Sequence, residues 1–233
     1  MMKPLKIDNK NIYIPVVHDY VLIVRRYLMG LHSMFTENEK KILKFLMTSF
    51  EHHSINELGK ECGITSKGAY KIVIKLEKLA ILKSENIANI KSYRINFENE
   101  LIQSYLEIAL LDKRINIPKV KIRKQDFDKF KDICNAVVIF GSYLTKEKPH
   151  DLDVLFVFEK SKYDSFKQNL KEKIDEYVRF SIPYPIHEMI QTPGDLTRNI
   201  KDKDKVIIDI IRHGVIMFGN KAIARCITDA HTK

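Results

Sequence analysis

The residues of this sequence that are best suited to chemistry are two aspartates, Asp151 and Asp153, which follow a glycine–serine step across eight intervening residues. The step, Gly141-Ser142, ends one apolar run, and a second apolar run begins between the aspartates. Residues i and i+2 of a strand point to the same side, so both carboxylates are expected on one face. Glycine lets the backbone approach a ligand closely, and a serine amide and hydroxyl at the start of a helix suit a phosphate.

Two carboxylates held close together repel each other unless a cation lies between them. Mg²⁺ is the expected cation, because it is commonly bound by one or two carboxylates together with substrate phosphates. The pattern therefore predicts a phosphate site beside a Mg²⁺ site, with a two-metal clamp as the expected chemistry. Two lysines of the intervening loop, Lys146 and Lys148, are candidate phosphate contacts.

Strands and helices that alternate along residues 126–233 must position these groups. Continuous apolar runs predict buried strands, and apolar residues at helical spacing predict amphipathic helices. The alternation favours a small α/β or α+β domain. We expect strands at 136–140, 152–158, 186–190 and 215–218, and helices at 126–134, 163–180 and 206–211.

Residues 36–115 carry a different pattern, of short helices followed by a hairpin. Capping boxes at Thr36–Glu39 and Ser54–Glu57 predict the start of two helices, and Thr65 or Ser66 is expected to cap a third. The turn at Gly63 between the second and third helices is typical of a helix-turn-helix. Further expectations are strands at 80–83 and 91–95 around a polar turn at 84–89, and an amphipathic helix at 97–115.

The hairpin after the third helix makes this region resemble the winged helix-turn-helix family. The resemblance implies a DNA-binding face on the third helix, with lysines on phosphates and serine or tyrosine near base edges. Between Thr65 and Lys83 there are five lysines and one acidic residue. The alternative is a solvated lysine face on a helix that only packs the domain. The candidate DNA-binding residues are Ser66, Lys67, Tyr70, Lys71 and Lys75.

The glycine–serine step and the aspartate pair, set between apolar strands, resemble the nucleotidyltransferase domain of the DNA polymerase beta superfamily, and most of all its minimal prokaryotic members. The resemblance covers residues 126–225, and it implies that Gly141 and Ser142 bind nucleotide phosphates while Asp151 and Asp153 hold Mg²⁺. The family often has a third acidic residue on a later strand, and Glu188 is the best match. The alternative for Glu188 is an exposed carboxylate on an edge strand. His150 and His187 are expected to be surface or local hydrogen-bonding residues rather than catalytic ones.

The resemblance implies a Mg²⁺-dependent enzyme that transfers a nucleoside monophosphate from an NTP, with ATP as the expected donor. The acceptor is the hydroxyl of a protein, an RNA or a small molecule. In that reading Glu188 completes the metal site or accepts the hydroxyl proton. The competing hypothesis is a DNA-binding transcriptional regulator whose transferase fold is an inactive domain or a nucleotide sensor.

Composition sets the remaining expectations. The chain has 233 residues, of which 45% are hydrophobic and 30% charged, with eight glycines and seven prolines, and this composition excludes collagen-like and disordered classes. Its formal net charge of +10 makes a polyanionic partner one hypothesis, and the alternative is a lysine-rich surface that keeps the protein in solution. It has no apolar stretch long enough for a membrane span. Three scattered cysteines and no signal-peptide pattern predict a cytoplasmic protein. The expected organisation is an α+β protein with an N-terminal extension (1–35), a winged helix-turn-helix (36–115), a basic linker (116–125) and a nucleotidyltransferase-like domain with a mixed sheet (126–233). Residues 101–111 form a candidate homodimer helix.

Overall fold

The computed structural model describes residues 34–159, 172, 174, 176 and 183–232, and these residues form a mixed α+β structure, as expected. The N-terminal half, residues 35–112, contains four helices and one small antiparallel sheet in which β3 (Ile90–Ile95) lies between β1 (His53–Ser54) and β2 (Leu82–Ile87). Its elements are α1 (Glu37–Met47), β1 (His53–Ser54), α2 (Ile55–Cys62), α3 (Ser66–Lys78), β2 (Leu82–Ile87), β3 (Ile90–Ile95) and α4 (Ile102–Ala109).

Local side-chain caps start the first three helices, which confirms the predicted boundaries. The Thr36 hydroxyl accepts the amide of Glu39, and the Glu39 carboxylate accepts the amide of Thr36 at 2.8 Å. The same reciprocal pair starts α2, and Thr65 caps α3. Each cap satisfies amides that have no partner within the helix. Gly63 ends α2 in the left-handed conformation, with φ of 63°.

Two predicted boundaries in this half are wrong. The polar turn expected at 84–89 is shorter, because β2 and β3 continue to a two-residue turn at Ala88 and Asn89, both with positive φ. Such a turn matches the twist of paired strands, so the strands extend to it. The helix expected at 97–115 is confined to α4, since Asn99 caps a preceding turn by accepting the Leu101 amide.

The C-terminal half, residues 113–232, is built on a four-stranded mixed sheet whose strands lie in the order β6 (Ile186–Gln191), β5 (Leu152–Val157), β4 (Ala136–Phe140) and β7 (Val215–Phe218). Strand β5 pairs parallel with β6 and antiparallel with β4, and β4 pairs antiparallel with β7. Its elements are a 3₁₀ turn (Lys113–Asn116), α5 (Pro118–Asp128), β4 (Ala136–Phe140), α6 (Ser142–Thr145), β5 (Leu152–Val157), β6 (Ile186–Gln191), α7 (Pro193–Lys201), α8 (Lys205–His213), β7 (Val215–Phe218) and α9 (Asn220–Thr232).

The core strands lie where the apolar runs predicted them, because both faces of β4 and β5 are buried. One face of β5, with Val154 and Phe156, packs into the main apolar cluster against Phe127 and Phe130. Burial on both faces removes the alternation of polar residues and leaves a continuous apolar run. At the start of β5 this rule is broken by Asp153, which is 25% exposed.

The segment expected as a basic linker, 116–125, lies mostly within α5. Pro118 occupies the first turn of α5, where its missing amide costs nothing, so the helix begins before residue 126 and ends at Asp128 rather than continuing to 134. The expected helix at 163–180 and the N-terminal extension at 1–35 lie outside the described residues, apart from 34, 35, 172, 174 and 176.

The two halves pack against each other through α9, whose residue His231 stacks between Phe50 and Phe97 at ring-centroid distances of 4.1 and 4.3 Å. Helix α9 also packs on α4, the helix proposed for dimerisation. Residues from Phe35 onward accordingly belong to one compact unit. No helix of the described part of the chain is long and apolar enough to span a membrane.

Candidate metal and phosphate site

Three neighbouring strands bring the candidate site residues together at one end of the sheet. Gly141 directly follows β4, and Asp153 near the start of β5 pairs with Phe140, the last residue of β4. On its other side Asp153 pairs with His187 of β6. The glycine bend, the aspartates and His187 therefore lie side by side, although they come from three segments of the chain.

The glycine bend fits closely around one aspartate. Gly141 has φ of 70° and ψ of −150°, a conformation that side chains rarely adopt. A Cβ atom added to Gly141 would overlap the carboxylate of Asp153. The backbone amide of Ser142 donates to that carboxylate, and the Ser142 hydroxyl donates to Oδ1 of Asp151 at 3.3 Å. The expected proximity of the glycine–serine step to both aspartates is confirmed.

The third member of the cluster is a histidine rather than the expected glutamate. Nδ1 of His187 lies 3.4 Å from Oδ2 of Asp151 and 3.8 Å from Oδ1 of Asp153. One ligand atom from each of the three residues lies within 4.8 Å of the other two. Two carboxylate oxygens and one imidazole nitrogen form a donor set that fits a single divalent cation.

Electrostatics also favour a cation at this position. Burial raises the pKa of the Asp153 carboxyl above its usual value, and the negative charge of Asp151 raises it further. His187 and the amide of Ser142 act in the opposite direction. The site therefore holds one carboxylate in an environment that disfavours its charge, and a bound cation would remove that cost.

Glu188 does not join this cluster, which corrects the expectation of a third acidic ligand. In the register of the sheet Glu188 pairs with Val154, whose side chain points into the core, while His187 pairs with Asp153. Neighbouring residues of a strand point to opposite faces, so Glu188 lies on the face away from the aspartates. Its side chain is exposed at the edge of the sheet. His187, expected to be a surface or local hydrogen-bonding residue, has a side chain that is 64% exposed and lies beside both aspartates.

The loop lysines stand beside the site without contacting the acidic cluster. Lys146 and Lys148 are exposed, and among the described residues neither forms an ion pair. The carbonyl of Lys146 accepts a hydrogen bond from Lys119 Nζ at 2.9 Å, and the hydroxyl of Tyr143 donates to the carbonyl of Lys119 at 2.8 Å. These bonds attach the loop to the start of α5 through main-chain carbonyls, and they do not involve the ammonium groups of Lys146 and Lys148.

The candidate DNA-binding face on α3 divides into two parts. Ser66, Lys67, Tyr70 and Lys71 are exposed, and 54% of the surface of Tyr70 is accessible. Lys75 instead forms an ion pair with Oε1 of Glu39 at 2.9 Å, and the Glu39 side chain is only 6% exposed. Lys75 therefore stabilises the contact between α3 and α1, which the spacing of lysines on α3 could not reveal.

Comparisons of the chain with protein-family models, with curated proteins and with solved structures found no match.

Proposed function

We propose that this protein is a divalent-cation-dependent nucleotidyltransferase that moves a nucleoside monophosphate from an NTP to an acceptor hydroxyl and binds DNA through its winged helix. ATP is the expected donor. The observation that carries the proposal is the convergence of Asp151, Asp153 and His187 beside the glycine bend at Gly141. Carboxylates, a cation-sized gap and a close backbone approach are the parts that phosphoryl transfer needs.

Each residue has a defined task in this proposal. Asp151 and Asp153 hold the cation, and His187 completes its ligands from the neighbouring strand. The bend at Gly141 holds the Asp153 carboxylate against the backbone, and the hydroxyl of Ser142 can turn from Asp151 toward a phosphate beside the cation. Lys146 and Lys148 offset the charge of the departing pyrophosphate from the loop. The cation, when bound, supplies positive charge to the phosphate under attack.

The donor set fits Mg²⁺ through its two carboxylates and also fits Mn²⁺, which accepts an imidazole nitrogen more readily. Assays of the transfer should therefore contain each cation in turn. Glu188 has no task in the reaction, because it lies on the opposite face of β6 from the aspartates.

The test is a transfer assay with ATP labelled on its α-phosphate, run with the protein alone and with cell extract. We expect label to move to a product with the wild-type chain and with Glu188→Gln, and not with the double variant Asp151→Asn, Asp153→Asn. Both variants keep side-chain size almost unchanged, so a difference between them reports the charge at the cluster. Identification of the labelled product then defines the acceptor.

A second candidate is favoured by the absence of Glu188 from the cluster. A nucleotide-sensing regulator needs contacts to the phosphates and the cation but does not transfer a group. The imidazole of His187, as the third member of the cluster, suits cation binding with or without catalysis. In that case none of the four NTPs transfers label, yet nucleotide with Mn²⁺ or Mg²⁺ changes the affinity of the protein for its own promoter DNA. Transfer that depends on Asp151 and Asp153 would exclude this candidate.

A further inference from the structure

A polar cavity of about 400 Å³ lies between the end of α1 and one side of α8, and none of the aspartate-site residues lines it. Hydroxyl groups line it from the N-terminal half, and cations line it from the C-terminal half. The lining residues are Thr48, Ser49, Lys203, Lys205, Ile208, Asp209, Arg212 and His213.

Arg212 is a half-buried cation of this cavity that forms no ion pair with any described residue. Its Nε donates to the hydroxyl of Thr48 at 2.7 Å, and its guanidinium lies 4.7 Å from the centre of the Phe45 ring. Burial lowers the pKa of Arg212, which shows that its surroundings disfavour the charge. A guanidinium has five donors, and a partly desolvated one is stabilised by an anion that accepts from them.

The other charges of the lining leave the cavity positive. Lys203 pairs with Glu51 at 3.0 Å, and the single carboxylate of the lining, Asp209, lies 3.9 Å from His213. Lys205 is exposed at the start of α8 and forms no ion pair with a described residue. Among the described residues Arg212 and Lys205 form no ion pair, although the carboxylates of Glu61 and Asp209 are near enough to Arg212 to act against the lowering of its pKa. The lining carries three cations, Lys203, Lys205 and Arg212, against one carboxylate.

We propose that this cavity binds the phosphate group of a small molecule, with Arg212 as the bidentate donor and Lys205 as the second cation. Phosphate matches the fork of a guanidinium, and two cations match its double charge. The ligand would contact both halves of the molecule, because Thr48 and Ser49 follow α1 while Arg212 and Lys205 belong to α8. A phosphorylated ligand here would therefore strengthen the packing between the two halves, independently of the transfer chemistry.

The test is calorimetric titration of the full chain with pyrophosphate and with inorganic phosphate, in EDTA and at constant ionic strength. EDTA removes cation-dependent binding at the aspartates, and the variant Asp151→Asn, Asp153→Asn should bind both anions like the wild type. We expect Arg212→Gln to weaken pyrophosphate binding about tenfold and Lys205→Gln to weaken it less. Lys221→Gln, an exposed lysine outside the cavity, makes the same change in net charge and should have no effect.

Two controls keep the test decisive. Arg212→Lys should restore part of the affinity, and Lys205→Gln probes the cavity at an exposed position if Arg212→Gln folds poorly. Equal binding by Lys205→Gln, Arg212→Gln and Lys221→Gln would overturn the proposal, since attraction would then follow net charge alone. Weaker binding of duplex DNA by Arg212→Gln, with pyrophosphate binding unchanged, would also overturn it and assign the cavity to a nucleic-acid backbone.

Discussion

At the residue scale, the backbone at Gly141 and the side chain of Asp153 depend on each other. The bend has no room for a Cβ atom, because the Asp153 carboxylate occupies that place and accepts the amide of Ser142. The missing side chain of the glycine therefore sets where the Asp153 carboxylate, a candidate cation ligand, lies. This dependence links a conformational property of one residue to the chemistry of another.

We expect Gly141→Ala to lower the free energy of unfolding by about 2 kcal/mol, because alanine is strained at this backbone conformation. It should also abolish cation binding by displacing Asp153. Urea unfolding and titration with Mn²⁺ followed by electron paramagnetic resonance measure the two effects. Gly194→Ala is the matched control, since its added Cβ would meet only the hydroxyl of Thr192 at 3.8 Å. Normal Mn²⁺ binding by Gly141→Ala would show that the position of the Asp153 carboxylate does not depend on the glycine.

His187 predicts a preference among cations. Because an imidazole nitrogen is a better ligand for Mn²⁺ than for Mg²⁺, we expect the wild-type chain to bind Mn²⁺ about tenfold more tightly. His187→Asp should reduce this difference and remove the nitrogen hyperfine coupling from the spectrum of bound Mn²⁺. Glu188→Gln, one residue further on the opposite face, should change neither. A nitrogen coupling that survives in His187→Asp would show that another residue supplies the ligand.

At the element scale, helix α3 uses its lysines for two purposes. Lys67 and Lys71 are exposed, whereas Lys75 pairs with the nearly buried carboxylate of Glu39 on α1. Glu39 also completes the capping box of α1 by accepting the amide of Thr36. One carboxylate therefore serves both the cap of α1 and the ion pair that links α1 to α3.

Substitution of the two kinds of lysine should separate folding from DNA binding. We expect Lys71→Gln to weaken binding of a duplex oligonucleotide and to reduce its salt slope by about one, because a phosphate contact is lost. Lys75→Gln should leave the slope unchanged and lower the free energy of unfolding by about 1–2 kcal/mol, because Glu39 loses its counter-charge. Fluorescence anisotropy at several salt concentrations and urea unfolding provide the measurements. The reverse assignment of effects would place Lys75 in the DNA interface.

At the scale of the whole molecule, the two halves are joined by rings and ion pairs near the end of the chain. The imidazole of His231 stacks between Phe50 and Phe97, and its Nε2 lies 3.0 Å from the carbonyl of Met47. Arg212 and Lys203 add polar contacts to Thr48 and Glu51. Helix α9 of the C-terminal half therefore contacts the N-terminal half through a titratable group, the imidazole of His231.

Burial lowers the pKa of His231, more than the hydrogen bond to Met47 raises it. The unfolded chain therefore takes up the proton first, and His231 stabilises the fold above a pH of about 6.5 and ceases to do so as the pH falls. We expect His231→Phe to remain within about 1 kcal/mol of the wild type at pH 8, since the stacked ring is kept.

The measurement is the free energy of unfolding of both chains between pH 8 and pH 5. The advantage of the wild type over His231→Phe should shrink as the pH falls, by at most about 1.4 kcal/mol per pH unit. Burial also lowers the pKa of His53, but that titration is present in both chains and cancels in the difference. A difference independent of pH would mean that His231 is not titrating in the folded protein.

Features determined by neighbouring residues could be predicted from the sequence. The reciprocal caps at Thr36 and Ser54 depend on residues three positions apart. The apolar runs of β4 and β5 reflect burial along single strands, and the Gly141-Ser142 bend lies beside the aspartates because these two strands pair. Helices α7 and α9 were not predicted, and the start of α5 was missed because the basic residues after Pro118 show no apolar stripe.

Only the tertiary structure decided which residue lies beside the aspartates and which lysine of α3 forms an ion pair with α1. Glu188 and His187 are adjacent in sequence, and the parallel register between β5 and β6, which nothing in either strand specifies alone, places His187 and not Glu188 next to Asp153. Lys75 meets Glu39 because two helices dock across 36 residues of chain. Strand register and helix docking depend on the fit between surfaces that are distant in the chain. Helix caps and strand periodicity depend on residues that are close together in the chain. The sequence alone therefore determined the local features, and the tertiary structure decided the contacts between distant segments.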